Sequence, residues 1–231
     1  MNVRLCNFFL SAIGLAAILA SAGRASAASM AITEWMYNSS STGGEYVEFT
    51  NVTKAPIDMT NWSEDDNNRT AGKHAFGSTF GIVQPGQSVI LTESTPAAFA
   101  AAWHLSNSVK IIGPYSNDNL GRSDEINLYD NHGVLVDRLT FNDQGTNGGP
   151  RTSGFGGNIP LANLGQNTPQ HAVLSAVGDS YGSFASTNGD VGNPGAYTAF
   201  QVPEPSTVTL VAVGGLVLAG SRLARRRKVR A

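Results

Sequence analysis

The sequence is nearly free of cysteine. Its one cysteine, Cys6, falls within the first 27 residues, so the remainder of the 231-residue chain contains no thiol. A disulfide framework and a cysteine-based metal site are therefore excluded for that remainder. The core has to hold through packing and hydrogen bonds alone.

Charged side chains are also scarce, at 14% of the residues, whereas glycine is abundant with 26 residues. This composition is typical of exported all-β domains with many turns and argues against a helical bundle. Residues 28–205 hold only seven Lys and Arg side chains against all 17 Asp and Glu, a formal charge of −10. Because such a body repels phosphate groups, binding to nucleic acid is disfavoured.

Familiar catalytic signatures are absent as well. The sequence has no G-x-S-x-G elbow, no P-loop and no H-E-x-x-H motif. The four histidines, His74, His104, His132 and His171, do not stand at metal-ligand spacing from one another. We therefore expect no catalytic residues and no cofactor.

The N-terminal residues 1–27 have the organisation of a secretory signal peptide. Arg4 supplies the positive charge, residues 8–20 form the apolar segment, and Ala25 and Ala27 give the small-residue cleavage site. The alternative is a retained transmembrane helix, against which the small residues and Arg24 at the end of the apolar run both argue. The sequence thus predicts an exported protein.

The C-terminal residues 202–231 combine three features in a fixed order. Pro203, Glu204 and Pro205 form an extended segment, because proline does not continue a helix. An apolar stretch at about 207–223 follows, just long enough to cross a bilayer as a single helix. The basic end at 222–231 then marks the cytoplasmic side. Its orienting residues are Arg222, Arg225, Arg226, Arg227 and Lys228.

This tail resembles the PEP-CTERM sorting signal of Gram-negative bacteria. The resemblance implies an exosortase as processing partner, which recognises Pro203, Glu204 and Pro205 and cuts nearby. It also implies that the protein is held in the inner membrane with its body facing the periplasm, and is then released toward the cell surface or the extracellular matrix. The alternative is an ordinary single-pass anchor with a proline-containing stalk.

The body, residues 28–201, shows short β-like runs separated by turn residues, the rhythm of a β-sandwich. The predicted strands cover residues 31–37, 45–51, 56–62, 87–92, 109–112, 125–130 and 134–141. Residues 96–105 are predicted to be helical, because a proline precedes an Ala-rich run. Residues 150–170 are predicted to be a long loop, and residues 171–177 a late strand.

The body is similar to the lamin tail domain, an immunoglobulin-like β-sandwich. Six segments carry the resemblance in order: 32–37, 44–51 (GEYVEFTN), 57–62 (IDMTNW), Pro85-Gly86, 124–137 and 192–195 (GNPG). Residues 142–177 depart from the family pattern. The resemblance implies an all-β immunoglobulin-like fold, flanked here by the signal peptide and the C-terminal transmembrane helix.

Three groups of residues in the body are candidates for binding or chemistry. Glu34, Glu45 and Glu48 lie on neighbouring strands and could form an acidic cluster, for which we favour a structural hydrogen-bonding role over acid/base catalysis. Glu64, Asp65 and Asp66 lie in a predicted loop at 63–68 and supply oxygen ligands that suit calcium. Trp35, Trp62 and Trp103 could stack on sugars, although core packing is favoured for the last two.

These observations predict a non-enzymatic exported surface protein whose body is a structural or adhesive module, with exopolysaccharide as a conceivable partner. A calcium- or carbohydrate-binding surface protein is the alternative, and a hydrolase that uses the three glutamates is the third hypothesis.

Overall fold

The computed structural model describes residues 29–39, 44–115, 119–146 and 148–198. The predicted signal peptide, transmembrane helix and sorting motif lie outside these ranges. Within the described ranges, no helix has the length and apolar character needed to cross a bilayer.

The described chain is built mainly from short strands. In chain order they are β1 (Met30–Met36), β2 (Tyr46–Asn51), β3 (Ile57–Asp58), β4 (Ser63–Asp65), β5 (His74–Ala75), β6 (Ile82–Val83), β7 (Ser88–Thr92), β8 (Lys110–Ile112), β9 (Ser123–Tyr129), β10 (Leu135–Asn142), β11 (Gly157–Asn158), β12 (Val173–Leu174), β13 (Phe184–Ala185) and β14 (Val191–Gly192). One α-helix, α1 (Pro96–Ala102), and two 3₁₀ turns, Leu161–Asn163 and Pro169–His171, complete the described elements.

Two sheets form the sandwich. The larger has the order β12-β11-β1-β2-β7-β8 and the smaller the order β10-β9-β4-β5. Neighbouring strands are antiparallel except for β7 and β8, which are parallel. The two sheets contact each other through β1 and β10, so β5 and β8 end the sheets on the other side of the sandwich. This architecture agrees with the predicted immunoglobulin-like sandwich.

The main core lies between the two sheets. Because side chains alternate along a strand, Val47 and Phe49 of β2 point into this core, whereas Tyr46 and Glu48 point to the outer face, as predicted. The Trp35 ring lies 5.6 Å from that of Phe141 on the facing sheet. Burying an aromatic side chain of this size contributes about 2–3 kcal/mol.

A second, smaller cluster covers the outer face of the larger sheet. Helix α1 begins after Thr95, whose side chain accepts a hydrogen bond from the Ala98 N–H at 3.3 Å, and Pro96 occupies the first position. The helix thereby places Phe99 and Trp103 against Tyr46. The helix prediction is confirmed, and the outer face of β2 is covered instead of exposed to solvent.

Several sequence predictions are confirmed and others are wrong. The hairpin of β9 and β10 and the strands β1, β2, β7 and β8 lie where they were predicted. The continuous strand at 56–62 is wrong: β3 has two residues, and a new strand, β4, begins at Ser63. The long loop at 150–170 is also wrong in part, because β11 lies within it and pairs with β1. The late strand is present as the short β12, but β13 and β14 follow it.

Candidate functional site

Two buried glutamates lie side by side on the larger sheet. A β-bulge between Ile32 and Glu34 shifts the register of β1, so that Glu34 comes directly opposite Glu48 of β2. Both side chains point to the outer face, and both residues are 0% exposed. A like-charged pair directly opposite across two strands is unfavourable in itself, so its partners decide whether it is tolerated.

The Glu48 carboxyl group is held by hydroxyl and backbone donors. Thr33 Oγ1 donates to Glu48 Oε1 at 2.6 Å, and the Gly195 N–H donates to Glu48 Oε2 at 2.8 Å. A chain of hydroxyls extends from Thr33 through Thr50 to Ser88, with 2.8 Å at each step. Such a buried polar network fixes one arrangement of the elements that contribute to it.

The Glu34 carboxyl group is held mainly by the C-terminal part of the body. Ser175 Oγ donates to Glu34 Oε1 at 3.1 Å, and the Asn193 N–H lies 3.1 and 3.2 Å from the two carboxyl oxygens. Gly192 brings the backbone this close, because a Cβ there would lie 2.4 Å from the Tyr46 hydroxyl and 3.0 Å from Glu34 Oε1. The pair therefore joins β1 and β2 to residues 192–195, a connection that we call the C-terminal latch.

The environment of the latch raises the pKa of both carboxyl groups above the usual range. Burial is the largest cause for each, and repulsion from Glu48 raises the pKa of Glu34 further. Hydrogen bonds from Tyr46, Asn193 and Ser175 at Glu34, and from Thr33 and Gly195 at Glu48, act in the opposite direction. A proton held by the pair removes most of their repulsion and is retained to higher pH than in the unfolded chain.

Glu45 does not join this pair, contrary to the predicted cluster of three glutamates. It is 2% exposed, and its Oε1 accepts a hydrogen bond from the Leu120 N–H at 2.7 Å. Burial, with repulsion from Glu93, raises the pKa of Glu45 to about 9. The Asn119 amide, with its nitrogen turned toward the acids, lies 3.0–3.1 Å from Glu45 and Glu93 oxygens. Glu45 thus anchors the segment before β9 beside a surface cleft of about 370 Å³.

The three acidic residues of the predicted calcium loop do not lie in one loop. Ser63–Asp65 is the strand β4, so the prediction that 63–68 is one loop is wrong, and Glu64 and Asp65 are buried. Asp65 Oδ2 accepts from the Thr70 N–H at 2.5 Å, while Asp66 Oδ1 accepts from the Asn68 N–H at 3.1 Å. Within the described ranges, no group of three or more acidic, histidine or cysteine side chains is arranged to hold a metal ion. Calcium binding stays a prediction.

The three tryptophans are core residues. Trp35 and Trp103 are 0% exposed and Trp62 is 7% exposed. The hypothesis that they form an exposed sugar-stacking platform is therefore wrong, because a stacking platform needs a solvent-facing ring.

Comparison with known protein families fits this geometry. A family model described as Lamin Tail Domain matches residues 24–143, which is more than half of the chain. The chain belongs to the lamin tail domain family. A second model, the PEP-CTERM protein-sorting motif, matches residues 201–228. No curated protein matches the chain.

The sorting motif marks this lamin tail domain protein as an exported protein that is processed by an exosortase on its way toward the cell surface. The motif residues Pro203, Glu204 and Pro205, the basic residues Arg222 to Lys228 and the cleavage residues Ala25 and Ala27 all lie outside the described ranges. Their individual roles stay predictions.

The C-terminal latch lies partly beyond the lamin tail domain match. The match ends at residue 143, just after β10, whereas Ser175, Asn193 and Gly195 come from the chain that follows. The sequence pattern assigns residues 192–195 to the family resemblance and indicates no role for them. The hydrogen bonds to the glutamates come largely from backbone N–H groups, which do not depend on the side chain of the residue. The sequence therefore does not reveal them, apart from the glycines that allow the close approach.

Proposed function

We propose that residues 29–198 form a non-enzymatic structural module, which the sorting tail delivers to the cell surface or the extracellular matrix. The observation that carries this proposal is the C-terminal latch. Glu34 and Glu48 form a neighbouring pair of acids whose pKa values are both raised. Such groups are ordinarily candidates for catalysis. Both are inaccessible to a substrate and are bound by the fold itself.

The latch also gives the sorting tail a fixed attachment point on the body. Residues 192–195 are bound to β1 and β2, and the Tyr197 hydroxyl donates to the Ile159 carbonyl at 2.6 Å. Four residues separate Thr198 from Pro203, so an extended chain between them reaches at most about 18 Å. In this proposal the exosortase binds its motif close to a folded domain, and the latch keeps the C-terminal end of that domain from unfolding locally.

Before processing, the apolar stretch at about 207–223 holds the protein in the inner membrane, and Arg222, Arg225, Arg226, Arg227 and Lys228 keep that end on the cytoplasmic side. The body then faces the periplasm. Support for this orientation comes from the order of the apolar and basic segments in the sequence.

The sorting part is tested in a host that contains an exosortase. A variant with Pro203, Glu204 and Pro205 replaced by alanine is compared with the wild type and with a control in which the flanking residues Gln201, Val202 and Ser206 are replaced instead. We expect the wild type and the control to leave the inner membrane, whereas the motif variant stays there at full length. Retention of all three proteins in the inner membrane would mean that the tail is an ordinary anchor.

The non-enzymatic part is tested with Glu34→Gln and Glu48→Gln together. Glutamine keeps a hydrogen-bond acceptor at each position but cannot act as a general base or nucleophile. We expect the amount of the protein at the surface and its effect on cell adhesion to be unchanged. If the folded double variant lost its surface phenotype while being exported normally, the carboxylates would have a chemical role.

A further inference from the structure

A slot opens at the edge of the sandwich where the two sheets end. It lies between β5 of the smaller sheet and β8 of the larger sheet and has a volume of about 330 Å³. This volume falls within the range of about 300–1,000 Å³ typical of small-molecule sites. The slot is separate from both the C-terminal latch and the Glu45 cleft, so its interpretation does not depend on the proposed function.

One wall of the slot is apolar. Leu91 and Ile112, register partners on β7 and β8, form this wall together with Phe76 and Pro114. Leu91 and Phe76 are buried, whereas Ile112 is partly exposed and Pro114 is exposed. A ligand that enters the slot therefore contacts an apolar surface that is backed by buried core residues.

The opposite side carries nitrogen groups. Lys73 is exposed at the mouth, and His74 is partly buried next to it, with its ring 6.1 Å from that of Tyr115 in an edge-on arrangement. Glu64, the register partner of His74 on β4, is buried behind it and does not line the slot. The groups that face the slot at this end are thus an ammonium and an imidazole.

The lysine is notable because cations are scarce in this body and most are already engaged. Arg69 and Arg138 form ion pairs with Glu125, and Arg122 forms one with Asp143. The Lys110 ammonium donates to the Phe80 and Ile82 carbonyls at 2.5 Å each. Among the described residues Lys73 has no such ion pair, so it presents its charge beside an apolar wall.

We propose that this slot binds a small organic carboxylate. The carboxylate contacts Lys73, and the apolar or ring-shaped part of the ligand packs against Ile112 and Pro114. An ammonium attracts an anion as a point charge, and the imidazole of His74 lines the slot beside it. Both an aromatic or aliphatic acid and a sugar acid have this chemistry.

The test uses the full chain purified in detergent micelles and titrated by calorimetry with benzoate and with glucuronate. The neutral analogues benzamide and glucose are the matched ligand controls. We expect at least one acid to bind about twofold to fivefold more tightly than its neutral analogue, since an exposed charge contact contributes a factor of this size. Binding of benzoate alone identifies an apolar acid as the ligand class, and binding of glucuronate alone identifies a sugar acid.

Variants locate the site. Lys73→Gln is expected to weaken acid binding about twofold to fivefold, whereas Lys54→Gln, at an exposed lysine in the turn after β2, leaves it unchanged. Ala75→Tyr places a ring from an exposed position of β5 into the slot and is expected to abolish binding. Equal binding of the acids and their neutral analogues, no binding of either acid, or an unchanged affinity in both Lys73→Gln and Ala75→Tyr would overturn the proposal. In that case Lys73 only protects an edge strand from pairing with other chains, and aggregation of the Lys73→Gln variant reports this role.

Discussion

The C-terminal latch makes the stability of this protein depend on pH in an unusual direction. An acid whose pKa is higher in the folded state than in the unfolded chain contributes stability that is complete below the unfolded pKa and is lost as pH rises through the folded pKa. Glu34 has an ordinary value of 4.5 and a folded pKa of about 8. The pKa of Glu48, the other acid of the latch, is raised as well, and so is that of Glu45 outside the latch.

The size of the effect follows from the Glu34 shift. One pKa unit corresponds to about 1.4 kcal/mol, so the change from 4.5 to about 8 corresponds to about 5 kcal/mol. We therefore expect the free energy of unfolding to be highest near pH 5 and to fall by several kcal/mol by pH 8.5. That fall is a large fraction of the roughly 5–15 kcal/mol total of a typical domain.

The assay is urea unfolding of the full chain at pH 5, 7 and 8.5, followed by the fluorescence of the buried tryptophans. Glu34→Gln removes the titrating group and its repulsion on Glu48 while keeping an acceptor for Ser175 and Asn193. The variant is expected to lose the part of the pH dependence that comes from Glu34, while Glu45 keeps its own, and to exceed the wild type in stability at pH 8.5. Asp58→Asn is the control, because Asp58 is exposed and its pKa is lowered, so it titrates below this pH window. A wild-type stability that is flat or rises between pH 5 and 8.5 would mean that the buried glutamates do not hold protons in the folded state up to neutral pH.

Three further predictions concern single side chains. Gly192→Ala should destabilise the protein by at least 2 kcal/mol, since its Cβ overlaps the Tyr46 hydroxyl, and the same urea assay measures this. Trp35→Ala should lower the free energy of unfolding by about 3–5 kcal/mol because it opens a cavity in the main core; a loss below 1 kcal/mol would contradict its placement. Glu125, whose pKa is lowered to about 2 by hydrogen bonds from Arg69, Thr140 and Asn127 and the charge of Arg138, contributes stability that disappears as pH falls from 4.5 toward 2. Acid unfolding of Glu125→Gln should therefore show a weaker dependence on pH in that window than the wild type.

Much of the sandwich could be predicted from local patterns. The β9–β10 hairpin is indicated by turn residues between two runs of β-forming residues that are close together in the sequence. In β2, the alternation of apolar and polar residues shows which face of the strand is apolar. The strand β4 was missed because Ser63, Glu64 and Asp65 are polar, and a polar run normally indicates a loop. In the structure these residues are buried through specific contacts, such as the Gly72 N–H donating to Ser63 Oγ at 2.8 Å and the Thr70 N–H donating to Asp65.

The C-terminal latch could not be predicted for a different reason. Its geometry depends on a one-residue bulge in β1 and on backbone groups about 150 residues away along the chain. Strand β11 is similar, because Gly157 and Asn158 have little strand propensity and are held by pairing with Glu34 and Trp35. Contacts of this kind are fixed by tertiary packing, which local sequence patterns do not reveal.

Whether the sorted protein is a folded module closed by its C-terminal latch is tested by the intact mass of the protein recovered from an exosortase-containing host, followed by hydrogen exchange on that product. We expect a chain that has lost its first residues and its C-terminal tail but retains residues through Tyr197, with the Asn193 and Gly195 amides protected as strongly as those of β2. A product cut within residues 173–197, or one in which these two amides exchange as fast as an unfolded peptide, would contradict the claim that the sorted module is a structural domain closed by its C-terminal latch.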